Sequence, residues 1–173
     1  MRVTKAVVAA IAAVLLIASF GRASAVKIKK TELPEAVREA VDREAQGGHV
    51  VACWRNVGDR AAVYEVDLKV NGRKKGIVVS IDGEVTTVQE QVTWEDLPRA
   101  VQRSFRREAG ENDIEEVHVV MHHGEVAGYV ARIDGEGPRD YQFAVGPDGG
   151  RLDGEAVTHF RESWRERVPT PIP

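Results

Sequence analysis

The stretch Leu97-Pro98-Arg99-Ala100-Val101 lies in the middle of the chain and begins a predicted helix. The same kind of opening occurs upstream, as Leu33-Pro34-Glu35-Ala36-Val37. Proline suits the first turn of a helix, because the N–H that it lacks would have no intrahelical partner there. Two such helix starts in one chain predict an internal duplication.

The similarity continues beyond the two helix starts. Arg43-Glu44-Ala45 corresponds to Arg107-Glu108-Ala109, and Asp82-Gly83 corresponds to Asp148-Gly149. Glycine follows each helical stretch, and alternating segments follow the glycine. We therefore predict an α+β fold with two tandem modules, each a helix packed on an antiparallel four-stranded sheet. The predicted domains are a signal peptide at 1–25, modules at 26–92 and 93–158, and a C-terminal tail at 159–173 that has the spacing of a short helix.

Apolar periodicity predicts which side chains face the core. In the helices these are Leu33, Val37, Ala40, Val41 and Ala45, then Leu97, Val101, Ser104, Phe105 and Ala109. The predicted strands span 49–57, 61–70, 75–81, 84–92, 114–122, 125–134, 139–145 and 151–157. Their predicted inward residues include Tyr64, Val66, Leu68, Val70, Ile77, Val79, Ile81, Val117, Val119, Met121, Tyr129, Ala131, Ile133, Tyr141, Phe143 and Val145.

The N-terminal segment has the three parts of a secretory signal peptide. Arg2 and Lys5 precede an apolar run over residues 6–20, and Ala23-Ser24-Ala25 is a small-residue cleavage site. The apolar run is too short to cross a bilayer core of about 30 Å comfortably. We therefore predict a secreted or periplasmic protein that has no membrane span after signal cleavage.

Charge and cysteine content narrow the function classes. Loss of Arg2, Lys5 and Arg22 with the signal changes the formal net charge from −3 to −6, and this disfavours nucleic-acid binding, which needs clustered cations. The single cysteine, Cys53, excludes an intramolecular disulfide framework.

Taken together, the export signal, Leu-Pro-x-Ala-Val, the glycine stop, the Tyr-x-Val strand and the Asp-Gly turn resemble the PepSY-like family of bacterial secreted proteins. That family is structurally similar to the beta-lactamase inhibitor protein, whose fold is a tandem repeat of a helical element on a four-stranded sheet. The resemblance covers nearly all of residues 33–155. It implies an association with peptidase propeptides and with the regulation of envelope proteases, and it supplies no catalytic motif.

The residues themselves indicate no catalytic or cofactor chemistry. His118 and His122 are about 13 Å apart along a strand, too far to bind one ion, so we interpret them, with His123, as solvated. Cys53 corresponds to Val117 in the repeat and is interpreted as a small buried hydrophobe. The sequence has no G-x-S-x-G motif. We predict a protein that is not an enzyme and that needs no cofactor.

The exposed face of the predicted sheet is the best interaction signal. If Cys53 points inward, its neighbour Trp54 points outward, and tryptophan and arginine are common at binding hot spots. The alternative is that the tail or the other module covers Trp54. The predicted partner-binding residues are Trp54, Glu65, Asp67, His118, Arg132 and Gln142.

Two functions remain open at this point. The first is an exported, non-catalytic binding module that recognises a protein partner, such as a peptidase that it inhibits or regulates. The second is an envelope protein that binds or senses a small ligand or a metal through the His118 and His122 strand.

Overall fold

A computed structural model describes residues 25–57, 62–134 and 141–152. Two α-helices and eight strands follow one another in these residues, and a short 3-10 helical turn precedes each helix, at Lys30–Glu32 and Trp94–Asp96. In chain order the elements are β1 (Val26–Ile28), α1 (Glu35–Ala45), β2 (His49–Val57), β3 (Ala62–Val70), β4 (Arg73–Ser80), β5 (Val85–Val92), α2 (Arg99–Ala109), β6 (Ile114–His122), β7 (Glu125–Ile133) and β8 (Tyr141–Val145).

The eight strands form one antiparallel sheet, in which each strand neighbours the strands before and after it in the chain. The predicted fold class, two tandem modules each with its own four-stranded sheet, is therefore wrong. The described part of the chain is mostly β, with two α-helices. A separate four-stranded sheet would leave further edge strands with unpaired N–H and C=O groups. Periodicity within a strand carries no information about which strand lies beside it, and so the sequence could not reveal this pairing.

The described residues divide into two compact units. The first unit contains residues 25–92 and 118–127, apart from 58–61, which the structure does not describe. The second unit contains residues 93–117 and 128–152, apart from 135–140. The predicted signal peptide, the turn at 135–138, the C-terminal tail and most of the predicted last strand lie outside the described residues. Of that last strand, Arg151 forms a single bridge with Val145.

The core of the first unit lies between α1 and one face of β2–β5. The predicted helix stripe is confirmed, because Leu33, Val37, Ala40, Val41 and Ala45 are all buried. The strands contribute alternate residues, namely Cys53, Tyr64, Val66, Leu68, Ile77 and Val79, with Val70 packed at the margin. Ile81 was predicted to face inward, but it is 52% exposed. It follows the end of β4 and lies in the turn, where strand alternation no longer applies.

A buried cation joins α1 to the sheet of the first unit. Lys75 Nζ lies 2.7 Å from Glu44 Oε2 and 2.9 Å from Glu90 Oε1, and the lysine side chain is 8% exposed. Burial alone would lower the pKa of Lys75, but the hydrogen bonds and charges of Glu44 and Glu90 raise it above its usual value. Lys75 is therefore held as a cation between the helix and β5.

The second unit packs α2 against β8. Val101, Ser104, Phe105 and Ala109 are buried as predicted, and so is Leu97. The rings of Phe105 and Phe143 meet edge to face, with centroids 6.1 Å apart.

Strand alternation is a poorer guide in β6–β8 than in the first unit. The inward predictions for Val117, Ala131, Ile133, Phe143 and Val145 are confirmed, whereas Tyr129 and Tyr141 are half-buried. In β6, Val120 is buried while the predicted Val119 and Met121 are half-buried. In β7 and β8, Val130 and Ala144 are buried as well as the adjacent Ala131, Phe143 and Val145, so both faces of these strands are covered there.

Two turn glycines lie against the helices at very short distances. A Cβ on Gly83 would lie 2.7 Å from the carbonyl oxygen of Ala36, in the first turn of α1. A Cβ on Gly149 would lie 2.7 Å from the carbonyl oxygen of Ala100, in the first turn of α2. Each Asp-Gly turn therefore packs its backbone directly on the start of the helix in its own unit.

Candidate functional site

The open face of the first unit is the side of β2–β4 that points away from α1. The register sets Trp54 opposite Lys27 of β1 and Glu65 of β3, and Glu65 in turn opposite Val78 of β4. Because residues directly opposite one another share a face, these four side chains form one row. Cys53 precedes Trp54 and is buried in the core, and so Trp54 points to the other side.

Side chains on this open face are half-buried rather than covered. Trp54, Glu65 and Val78 each keep part of their surface accessible, and Lys27 is exposed. On β3 and β4 they alternate with fully buried residues. Trp54 thus keeps part of its surface accessible, and its cross-strand neighbours are a lysine on one side and a glutamate on the other.

The polar neighbours of Trp54 are organised by hydrogen bonding. Asn56 Nδ2 donates to Glu65 Oε1 at 2.6 Å, and both groups are partly buried. Asp67 lies opposite Ala52 and Gly76, on the same face as Glu65. A Cβ on Gly76 would lie 3.8 Å from Asp67 Oδ1, at ordinary van der Waals distance. Three of the six predicted partner-binding residues, Trp54, Glu65 and Asp67, are thus brought onto one face.

His118 does not lie on a solvated surface. It is 4% exposed, and so its interpretation as a solvated histidine is wrong. Val117 and His118 are consecutive and both buried, which shows that β6 is covered on both sides at this point. Alternation along a strand predicts one solvent-exposed face, so it could not reveal that both faces of β6 are covered here.

Arg132 and Gln142 lie in the second unit, where they face each other across β7 and β8. Arg132 makes ion pairs with Glu115 at 2.6 Å and with Glu116 at 3.4 Å. Oε1 of Gln142 is buried and accepts no hydrogen bond from the residues that the structure describes. Arg132 is therefore already engaged with two carboxylates of its own unit, which reduces its availability to a partner.

His122 and His123 interact locally in the first unit. His122 Nδ1 lies 3.2 Å from Thr87 Oγ1, and His123 Nδ1 lies 3.1 Å from Glu84 Oε1. Burial lowers the pKa of His122 below its usual value, and the adjacent His123 lowers it further. Among residues 25–57, 62–134 and 141–152, no three histidine, cysteine or acidic side chains are grouped as metal ligands.

Cys53 is buried, as predicted. Burial raises the pKa of its thiol above the usual value, although the charge of Lys30 opposes this. A raised pKa keeps the sulfur in the poorly nucleophilic thiol form. Its position fits the interpretation of Cys53 as a small core residue.

β2 contains a bulge that its residue pattern was not expected to form. The pairing of β2 with β3 shifts between Val50 and Ala52, so that Val51 is the extra residue of a β-bulge. Val51 is 61% exposed, although it lies in an apolar run. The signal that could have revealed it is the unbroken run Val50-Val51-Ala52-Cys53, which lacks the alternation of the other strands.

Within the described part of the chain, neither helix is long and apolar enough to cross a membrane. No family model and no curated protein matches this chain.

Solved structures provide the comparisons. A Bacteroides eggerthii protein, provisionally described as periplasmic, shares 20% identity over 69% of this chain and 86% of its own, with a TM-score of 0.56. A DUF2874 family protein from Bacteroides uniformis shares 18% identity over 69% and 86%, with a TM-score of 0.54. A BLIP-like protein from Bacteroides fragilis shares 15% identity over 69% and 84%, with a TM-score of 0.49.

The neighbours thus include a BLIP-like protein, while the likeness of fold rests on the two structures with TM-scores above 0.5. None of the three is described as PepSY-like, so that part of the resemblance stays a prediction. The description of the Bacteroides eggerthii protein agrees with the secreted or periplasmic location predicted here. At these identities the comparison extends to the fold: this chain has the fold of that protein and of the DUF2874 family protein.

Proposed function

We propose that this chain is an exported, non-catalytic binding protein that recognises a protein partner through the open face of its first unit. The observation that carries the proposal is the row Lys27, Trp54, Glu65 and Val78 on the side of the sheet away from α1. A half-buried tryptophan held between charged side chains combines a large apolar contact with polar groups that fix orientation, and such residues dominate binding energy at protein interfaces.

The periplasmic description of the Bacteroides eggerthii neighbour supports the export part of this proposal. The partner class that we propose, a peptidase of the cell envelope, comes from the PepSY-like resemblance. The geometry favours a broad protein surface over a small ligand, because the row is part of a sheet face and small-molecule sites are concave.

The experiment is affinity capture from the envelope fraction and culture fluid, with the chain from Val26 onwards as bait. Trp54→Ala is the test variant, and Trp94→Ala is the matched control. Trp94 is also half-buried, but it lies in the second unit beneath the Arg106 guanidinium, 5.2 Å from the ring centroid.

The expected result is a protein that wild type and Trp94→Ala retain and Trp54→Ala loses, while the thermal unfolding of Trp54→Ala stays close to that of the wild type. Retention by all three baits would overturn the assignment of the open face. A large loss of folding in Trp54→Ala would show that Trp54 is a structural residue instead.

A further inference from the structure

The free edge of β2 lines an open groove of about 620 Å³ in the first unit. One wall is the start of β2, from His49 to Cys53, and the other walls are residues 27–30 and the end of α1 at Asp42 and Ala45. Every one of these residues belongs to the first unit.

β1 covers only part of this edge. It pairs with β2 at Cys53, Trp54 and Arg55, and it ends at Ile28. Among the described residues, no strand pairs with positions 49–52 of β2 on the side away from β3. Alternate residues of such an edge direct N–H and C=O groups outward, and these groups are a template for one more strand.

The groove carries an excess of positive charge. Lys27 and Lys29 are exposed at its border, and Lys30 is a third cation that pairs with Asp42 at 2.6 Å. Among the described residues that line the groove, Asp42 is the single carboxylate, so the lining contains three lysines and one acidic residue. At the same edge the bulge exposes the apolar side chain of Val51.

We propose that this groove holds an extended acidic peptide segment, which adds to the sheet as a short strand along residues 49–52. The free edge supplies main-chain hydrogen bonds, Val51 supplies an apolar contact, and the lysines select carboxylate side chains. This site borders the open face at Lys27, but otherwise it uses the edge of β2 rather than the side chains that project from the sheet. The inference does not depend on the proposed function.

The probe is a fluorescein-labelled peptide of about six alternating glutamate and valine residues, the usual length of a strand. Its anisotropy is measured against the chain from Val26 onwards. Two control peptides test the chemistry: one carries lysine in place of glutamate, and the other is N-methylated at alternate backbone nitrogens. The acidic peptide is expected to bind, and both controls are expected to lose about tenfold or more in affinity.

Protein variants test where on the protein the acidic peptide binds. Lys29→Gln, which leaves the open-face residue Lys27 unchanged, is expected to weaken the acidic peptide about threefold, whereas Asp42→Asn, which removes the competing carboxylate from Lys30, is expected to strengthen it about threefold. The control is Arg73→Gln with Lys74→Gln, which removes two exposed cations from the start of β4 and is expected to change affinity by less than about twofold.

Three results would overturn the proposal. They are equal binding of the acidic and lysine peptides, equal binding of the N-methylated peptide, or equal weakening by the Arg73 and Lys74 control. Trp54→Ala separates the two sites, because it is expected to lose the protein partner and to keep the peptide. Thermal unfolding of each variant confirms that it is folded.

Discussion

Gly83→Ala is expected to destabilise the protein far more than Gly72→Ala, although both glycines have nearly the same backbone conformation. The φ angles are +86° at Gly83 and +78° at Gly72. A Cβ at Gly83 would lie 2.7 Å from the carbonyl oxygen of Ala36 and 3.1 Å from its Cβ, whereas a Cβ at Gly72 would have no atom within 4 Å. The pair therefore separates backbone strain from steric overlap.

The expected losses in the free energy of unfolding combine the backbone strain and the steric overlap. An alanine in the left-handed region destabilises the folded state by about 1–2 kcal/mol. Alanine also lowers the conformational entropy of the unfolded chain, and this offsets about 0.4–1 kcal/mol of that loss. Gly72→Ala should therefore cost roughly 1 kcal/mol. Gly83→Ala adds overpacking against the backbone of α1, for which about 1–3 kcal/mol is typical. Its total should be roughly 2–4 kcal/mol.

Urea unfolding followed by tryptophan fluorescence and by far-ultraviolet circular dichroism measures both variants. Coincident transitions would justify a two-state analysis. Gly149→Ala should behave like Gly83→Ala, because its Cβ would lie equally close to Ala100. If Gly72→Ala and Gly83→Ala lost the same free energy, the close packing of the Asp-Gly turn on α1 would be refuted.

The remaining predictions concern buried and titrating groups. Replacing Glu44 and Glu90 together by glutamine should lower the free energy of unfolding in urea by about 3 kcal/mol, because Lys75 would stay buried without a counter-ion. Lys75→Met should lower it by about 1 kcal/mol, since both carboxylates keep contact with water. Equal losses would contradict this asymmetry. His122 has a lowered pKa in the folded state, so its contribution to stability is complete above the unfolded-state pKa of 6.5 and is lost as the pH falls below it. His122→Gln should flatten the stability profile between pH 7 and 5, and an unchanged profile would contradict the assignment. Cys53 should resist a thiol reagent in the folded protein and react fully in denaturant; rapid labelling of the native protein would show that it is accessible.

Local features of the fold could be predicted from the sequence because they depend on nearby residues. The stripe from Leu33 to Ala45 fixed the buried face of α1, and the Asp82-Gly83 turn fixed the end of the β4–β5 hairpin. The alternation in β3 placed Tyr64, Val66 and Leu68 in the core. These signals require only the helical and strand periods and the chemistry of turns.

The features that escaped prediction depend on distant contacts. All eight strands form one sheet because each strand edge pairs with a neighbouring strand. The residues within one strand do not indicate which strand will pair with it. The burial of His118 and Val130 requires cover on a second face, which alternation within one strand cannot show. The bulge at Val51 inserts one residue and shifts the register, so alternation counted along β2 assigns the residues before the bulge to the wrong face.

The candidate site was predictable in part. Trp54, Glu65 and Asp67 were placed on one face because each is adjacent to a strongly apolar core position. Arg132 was selected as an outward cation, but its ion pairs with Glu115 and Glu116 could not be read from the sequence. The edge groove could not be predicted either, since it exists because β1 stops at Ile28.

We propose that Trp54 contributes most of the binding energy of the open face. The most direct test of this proposal is the dissociation constant of the captured and purified partner for wild type, Trp54→Ala and Trp94→Ala, measured by titration calorimetry. We expect Trp54→Ala to weaken binding about 30-fold or more, as truncation of a hot-spot residue does, and Trp94→Ala to stay within about twofold of wild type. Equal dissociation constants for Trp54→Ala and wild type would contradict the claim.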